Sequence, residues 1–287
     1  MDTSITTART AADARGRHPV APRPGTPGSA RALSTLVLAD RRAEGGESFV
    51  QVEVWSDVVC PWCYVGKRNL EAALAQFAHA DDVELVWRSF QLDPDAEQGP
   101  GESTAAALAR KLSRTPAEVA RMQAQLTVTA ASAGLVYHLA DTRSGNTTDA
   151  HRLLHLARER GLQARLKERL LAAYFTEGQE LFSHEALGRL AGEAGLDADE
   201  VMAVLAATDY AEAVQSDVDL GRSFGITGVP FFVVDRTYGV SGAQPAASLL
   251  EVLDQAWAAS HPLSTATTPA GPLDVHPVPL PNGGSSR

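Results

Sequence analysis

Only two cysteines occur among the 287 residues, and they stand three apart in the motif Cys60-Pro61-Trp62-Cys63. Two thiols one helical turn apart can close into a disulfide and reopen, which moves two electrons. The same pair could instead supply half of a zinc site or sit inert in a core. Zinc needs two further ligands, and none of the eight histidines lies within 15 residues of the pair, so any such ligand has to arrive through the fold. With no other cysteine there is no structural disulfide framework, and the pair must be explained by itself. A second element, Gly228-Val229-Pro230, lies about 170 residues further on, in front of an apolar run.

Exchange chemistry runs through a thiolate, so one sulfur needs a neighbour that stabilises negative charge. Residues Phe49–Trp55 alternate apolar and polar and are rich in valine, the pattern of a strand with one face on a core. After a short turn, Val65, Leu70, Ala73, Leu74 and Phe77 recur at helical spacing, and Pro61 suits the first helical position because its missing N–H has no role there. Cys60 is thereby expected at or next to a helix N-cap, with the free amides of Trp62 and Cys63 aimed at its sulfur. Lowering a free cysteine from about 8.5 to about 6 would raise the thiolate fraction at pH 7 from roughly 3% to roughly 90%. Cys63, one turn on and turned inward, is placed to resolve a mixed disulfide.

Val83–Phe90 reads as a second strand, parallel to the first through a right-handed crossover. From about 101 to 213 the pattern is helical, with nameable boundaries. Thr115-Pro116-Ala117-Glu118 is a capping box, and Gly134 can close its helix. Asn146 or Thr147 can cap a helix ending at Gly161, Ser183 one ending near Gly195, and Asp197 with Glu200 a third. A helix over about Tyr210–Phe224 leads into a buried-type strand Phe231–Val234, a turn at Asp235-Arg236-Thr237, a strand Tyr238–Ser241 and a helix over about Pro245–Ala259. The order predicts an α/β protein of thioredoxin-like layout, residues 49–260, with a large all-helical insertion after the second strand.

Pro230 has two readings. As a strand-start proline it would be trans, since only about 5% of X-Pro bonds in folded proteins are cis. As a cis-proline it would expose the backbone of Val229 to an extended peptide beside the cysteines. Its combination with the Cys-x-x-Cys helix favours the second.

Four blocks carry a family resemblance: Glu53–Lys67 (EVWSDVVCPWCYVGK), Ser89–Pro94 (SFQLDP), Asn146–Leu153 (NTTDAHRL) and Gly225–Phe232 (GITGVPFF). Together they resemble the FrnE-like branch of the DsbA family over roughly residues 49–258. The resemblance implies a thioredoxin domain with a helical insertion and dithiol/disulfide activity, with Cys60 as nucleophile, Cys63 as resolving cysteine and Pro230 as cis-proline beside Val229. It implies no bound cofactor, with glutathione or another thiol as reductant. The implied partners are thiol- or disulfide-bearing proteins or small thiols. Glutathione-dependent isomerases of aromatic acids and kappa-type glutathione transferases share this layout but generally use serine where Cys60 stands. A metal-binding or peptide-holding module without turnover is the non-enzymatic alternative.

The chain departs from the wider pattern at Val54, six residues before Cys60, where many thioredoxin-like proteins carry an acid; Glu53 is expected on the opposite strand face. Proton transfer from Cys63 then falls to water, Asp57 or a group from the helical insertion. His151 is a candidate because histidine is the usual carrier of such a proton. Pro61 and Trp62 tune the pair, Trp55 and Phe90 read as core aromatics, and Lys67 and Arg68, more than a turn into the helix, read as solvated.

Both ends have the composition of disordered polymer: residues 1–48 carry no aromatic residue, and the stretch from about 261 is proline-rich with small polar residues. Net charge is −10, and the acidic excess lies in the central part, which disfavours nucleic acid as a partner. No stretch approaches the roughly 18 apolar residues of a membrane span, and the patch Leu33–Ala39 lacks the flanks of a secretory signal, so a cytoplasmic protein is expected.

Overall fold

The computed structural model describes residues 49–261; the expected leader, and the expected tail apart from its first residue, lie outside them. The centre is a four-stranded mixed sheet in the order β2-β1-β3-β4, made of β1 (Val50–Ser56), β2 (Val83–Ser89), β3 (Phe231–Val234) and β4 (Tyr238–Ser241). β1 pairs in parallel with β2, Val50 opposite Val83, and antiparallel with β3, Trp55 opposite Phe231. β3 and β4 form a hairpin across the turn at Asp235 and Arg236, both at positive φ.

β1 is buried at every residue but Gln51, because helices cover both of its faces. On one face Val50, Val52 and Val54 pack with Leu70 and Ala73 of α1 (Pro61–Leu74) and with Leu249, Leu253 and Ala256 of α9 (Ala246–Ser260). On the other, Trp55 meets Ile226 and Val233, and its indole N–H donates to the carbonyl of Asp217 in α8 (Ala211–Ser223) at 2.8 Å. Val54 and Glu53 therefore sit on opposite faces, and buried Glu53 is held by Arg88 and Arg236. α1 ends at Leu74 rather than near Phe77: Gln76 and Phe77 donate to the carbonyls of Ala73 and Leu74, tightening the last turn, which still drops the Phe77 ring into the core.

Between β2 and α8 run six helices: α2 (Thr104–Leu112), α3 (Pro116–Ser132), α4 (Thr148–Glu159), α5 (Gln163–Phe175), α6 (His184–Glu193) and α7 (Ala198–Ala206). Thr115 and Glu118 form the reciprocal capping box, and Ser183 and Asp197 cap α6 and α7. Thr147 is the N-cap residue of α4 without a side-chain bond; the Asn146 carboxamide oxygen accepts the Thr148 amide instead. α2 and α5 have no counterpart among the helices bounded from sequence. The module's core is leucine-rich and continuous with Val58, Tyr64 and Val65, so it packs directly on the cysteine turn and the first turns of α1.

Candidate active site

Cys60 is the N-cap residue of α1, in extended conformation, followed by Pro61 at the first helical position. The turn before it closes with the Cys60 amide donating to the Asp57 carbonyl at 3.3 Å, and the Cys63 amide donates to the Cys60 carbonyl at 3.0 Å. Trp62 projects outward, 45% exposed, whereas Cys60 and Cys63 are buried at 4% and 1% exposure. Both cysteines are free thiols. The Tyr137 hydroxyl donates to the Pro61 carbonyl at 2.7 Å, so the helical module clasps the start of α1.

The Val229–Pro230 peptide bond is cis. Distant sequence thus arrives at the pair: the Cys60 thiol donates to the Val229 carbonyl at 3.5 Å. Gly66 makes this approach sterically feasible, since a Cβ there would lie 2.9 Å from Cγ of Pro230 and 3.2 Å from Cζ of Phe232. The residues singled out from sequence as Cys60, Pro61, Trp62, Cys63, Val229 and Pro230 therefore meet in one place.

Asp57 and His151 meet there too. Both are buried, with Nε2 of His151 3.2 Å from Oδ1 of Asp57, while Oδ2 of Asp57 accepts the Leu92 amide at 2.8 Å. Burial works to raise the Asp57 carboxyl, but the hydrogen bond and charge of His151, the Leu92 amide and the charge of Lys167 outweigh it and hold it below the usual range. A carboxylate held low is a weak base for a thiol proton. Burial lowers His151 against the pull of Asp57, so the imidazole is neutral near pH 7. Its Nδ1 is buried without a hydrogen-bond partner among the described residues.

This gives the first prediction. A histidine lowered in the fold binds fewer protons folded than unfolded, so its contribution to stability is present above the unfolded value of about 6.5 and is lost as pH falls below it. Urea unfolding is expected to show stability decreasing from neutral pH toward pH ~5, with a shallower decrease in His151→Gln. Equal slopes in the two proteins would contradict it.

The thiols are shifted in opposite senses, and Cys60 is not lowered as the helix N-terminus led one to expect. The neighbouring Cys63 thiol, and then burial, push Cys60 up; the Cys63 amide lowers it, but by less. Cys63, although burial raises it, ends lowered by the neighbouring Cys60 thiol, then by the charge of Lys167 and the Asp57 amide. No hydrogen bond caps α1 through the Cys60 side chain. The first reason is the coupling of the thiols to each other; the second is a buried cation that the motif does not announce. Lys167 of α5 is fully buried, its Nζ 3.4 Å from the Ser56 carbonyl. The two thiols titrate as one coupled unit.

Lys67 and Arg68, read as solvated, are tied down instead. Lys67 is buried and pairs with Glu71 and Glu168; Arg68, half-buried, bonds the same two carboxylates and the Tyr64 hydroxyl. Glu168, brought by α5, is what draws them in. Among the described residues no group of three or more His, Cys, Asp or Glu side chains is arranged to hold a metal. Lys167 and Tyr137 were missed by sequence reasoning. A signal for Lys167 existed: Gln163, Lys167, Leu170, Leu171 and Tyr174 share one helical stripe, which places a lysine on an apolar face.

The model of the DSBA-like thioredoxin domain matches residues 51–254. A crystal structure of a probable DsbA oxidoreductase from Streptomyces coelicolor is 44% identical, covers 80% of this chain and 100% of its own, and superposes with a TM-score of 0.72. YwbO, an uncharacterized protein of Bacillus subtilis, is 27% identical over 192 residues, 66% of this chain and 88% of its own length. A 2-hydroxychromene-2-carboxylate isomerase is similar in fold alone, at 12% identity and a TM-score of 0.52, covering 73% of this chain and 97% of its own. Family match, sheet order and the helical module between β2 and β3 agree: the chain is a member of the DsbA-like thioredoxin family, an α/β fold with a helical insertion.

Proposed function

We propose that the chain is a thiol–disulfide oxidoreductase in which Cys60 is the attacking thiol, Cys63 the resolving thiol and the Val229–Pro230 loop the docking edge for the partner. One observation carries this reading: Sγ of Cys60, at the head of α1, lies 3.5 Å from the Val229 carbonyl, with Cys63 one turn behind it. A substrate strand laid along Val229 would bring its sulfur against Cys60.

The electrons balance as follows. The Cys60 thiolate attacks one sulfur of a partner disulfide, forming a Cys60–partner bond while the other partner sulfur leaves as a thiolate and is protonated. Because the two thiols are coupled, passing the Cys60 proton to Cys63 puts the charge on the sulfur nearer the docking edge. Cys63 then loses its proton and attacks Sγ of Cys60, releasing the second partner sulfur and leaving a Cys60–Cys63 disulfide. The partner gains two electrons and the pair loses two; two molecules of a small thiol such as glutathione restore the dithiol as they become a disulfide. Run backwards, the same steps oxidise a dithiol partner. No bound cofactor is required, and a cytoplasmic setting belongs to the same reading; among the described residues no helix is long and apolar enough to cross a membrane.

The test is catalysis of insulin reduction with glutathione or dithiothreitol, and of oxidation of a dithiol peptide by the oxidised protein. Turnover above background in either assay is expected. Background rates in both would overturn the reading.

A further inference from the structure

The family pattern lacks an acid behind the resolving thiol here, because that position is Val54, buried among Leu70 and Phe232. Something else must manage the Cys63 proton. We propose that the Lys167 amine, delivered by α5 of the helical module, is the resident base for Cys63 and sets the charge state in which Cys63 attacks the mixed disulfide. This rests on the exchange reading above and adds a residue outside every element of the thioredoxin core.

Three observations point to it. Lys167 is fully buried, yet among the described residues no carboxylate lies within 4.0 Å of its Nζ; its one hydrogen bond is to the Ser56 carbonyl. Burying an ammonium without a counter-ion is costly unless a partner can carry the opposite charge. The adjacent Glu168 is not that partner, since Lys67, Arg68 and Tyr64 take it up, and Asp57, whose charge also reaches Lys167, has its two oxygens on His151 and the Leu92 amide. The titratable groups whose charge reaches Lys167 are Cys60, Cys63 and Lys67 from α1, Asp57 from the turn before it and His151 from α4, and the ring of Trp87 from β2 lies 5.7 Å from its Nζ. Cys63 exerts the strongest charge effect on Lys167, and Lys167 the strongest of any charged group on Cys63. Burial pushes the amine down to about 8, close enough to a thiol for proton sharing. Near neutral pH the reactive form is a Cys63 thiolate facing a Lys167 ammonium. In the step itself the Cys63–Cys60 bond forms, the Cys60–partner bond breaks, and the departing thiolate takes its proton from solvent.

The alternative is a lysine whose stem merely packs on Trp87. Lys167→Met keeps that packing and removes the charge. The probe is an aromatic disulfide reagent: attack by Cys60 releases one coloured thiol and leaves the other half on Cys60 as a mixed disulfide, and the second coloured thiol is released only when Cys63 attacks. In the unmutated protein the rate of the second release is expected to reach half-maximum below the ordinary thiol value of about 8.5. In Lys167→Met it should be about tenfold or more slower at pH 7, with the profile moved to higher pH so that rates converge in alkali. A folded variant with unchanged rate and midpoint, or an unmutated protein with an ordinary thiol midpoint, would overturn the role of Lys167. The second measurement decides even where the variant does not fold. Second release that is absent, or unaffected by Cys63→Ser, would instead bring down the exchange reading itself.

Discussion

Cys60→Ser is expected to reduce insulin turnover to the rate seen without protein while leaving the fold at least as stable as before. Activity is lost because a serine hydroxyl ionises far above neutral pH and oxygen does not exchange with disulfide sulfur; nucleophile and leaving group disappear together. The argument for retained stability is local. The Cys60 side chain makes no capping hydrogen bond, so α1 begins with its amides unserved by a side chain. Serine is among the preferred N-cap residues, and a gained cap contributes about 0.5–2 kcal/mol. Loss of one contact, the 3.5 Å bond to the Val229 carbonyl, offsets little of that, because a hydroxyl can make the same bond. Urea unfolding and the insulin assay on one preparation check both halves. Retained turnover would eliminate Cys60 as the attacking sulfur, and a destabilised variant would mean that the start of α1 is held by the thiol in a way the hydrogen bonds do not reveal.

Cys63→Ser should produce the opposite kinetic signature: the first covalent event survives and the second disappears. Cys60 can still attack a disulfide, but with no thiol one turn behind it the mixed disulfide persists until an outside thiol arrives. A protein carrying one partner molecule on Cys60 is expected to accumulate in stoichiometric amount, with turnover near background unless excess glutathione is present. Intact-mass measurement after exposure to oxidised glutathione reads this directly. The variant also removes the thiol that shares charge with Cys60 and the one closest in effect to Lys167. A Cys63→Ser protein that turns over normally, or that never forms an adduct, would remove the resolving role.

How far the sequence alone reaches is clearest at the two sides of the dithiol. The side built from local signals was legible. Valine alternation marks β1, Pro61 marks the first turn of α1, and Ser183, Asp197 and the Thr115–Glu118 pair mark helix starts by side chains that bond backbone amides within three residues. The cis bond before Pro230 follows from pairing a proline before an apolar run with a dithiol helix, and the structure has it. The side built from long-range contacts was not legible. The N-cap position of α5 is Leu162, whose side chain makes no cap, so no start signal marks the helix that carries both Lys167 and Glu168, and only its apolar stripe hints at it. Without α5, Lys67 and Arg68 look solvated and Cys60 looks like the sole thiolate. His151 lies between these cases: its helix was found from Asn146 and Thr147, but its contact with Asp57 spans 94 residues of sequence and needs the tertiary fold.

Three groups of the helical module converge on the same few residues: Tyr137 on the Pro61 carbonyl, His151 on Asp57 and Lys167 on the Ser56 carbonyl. Each reaches the segment that joins β1 to α1, where the strand ends and the dithiol begins. The module is therefore part of the electrostatic surroundings of the thiols as well as a cover over them. A change in α5 should be felt at Cys63 although it touches no residue of the Cys-x-x-Cys motif.

The account stands or falls on Cys60 and Cys63 acting as one two-electron couple. Equilibrating the protein in glutathione buffers of graded ratio, and counting free thiols after an acid quench, measures this. The prediction is that both thiols vanish together in a single reversible step with the slope of a two-electron couple, the oxidised form being an internal disulfide by mass. Thiols that stay free across the whole range, or that disappear one at a time into adducts or dimers, would contradict it.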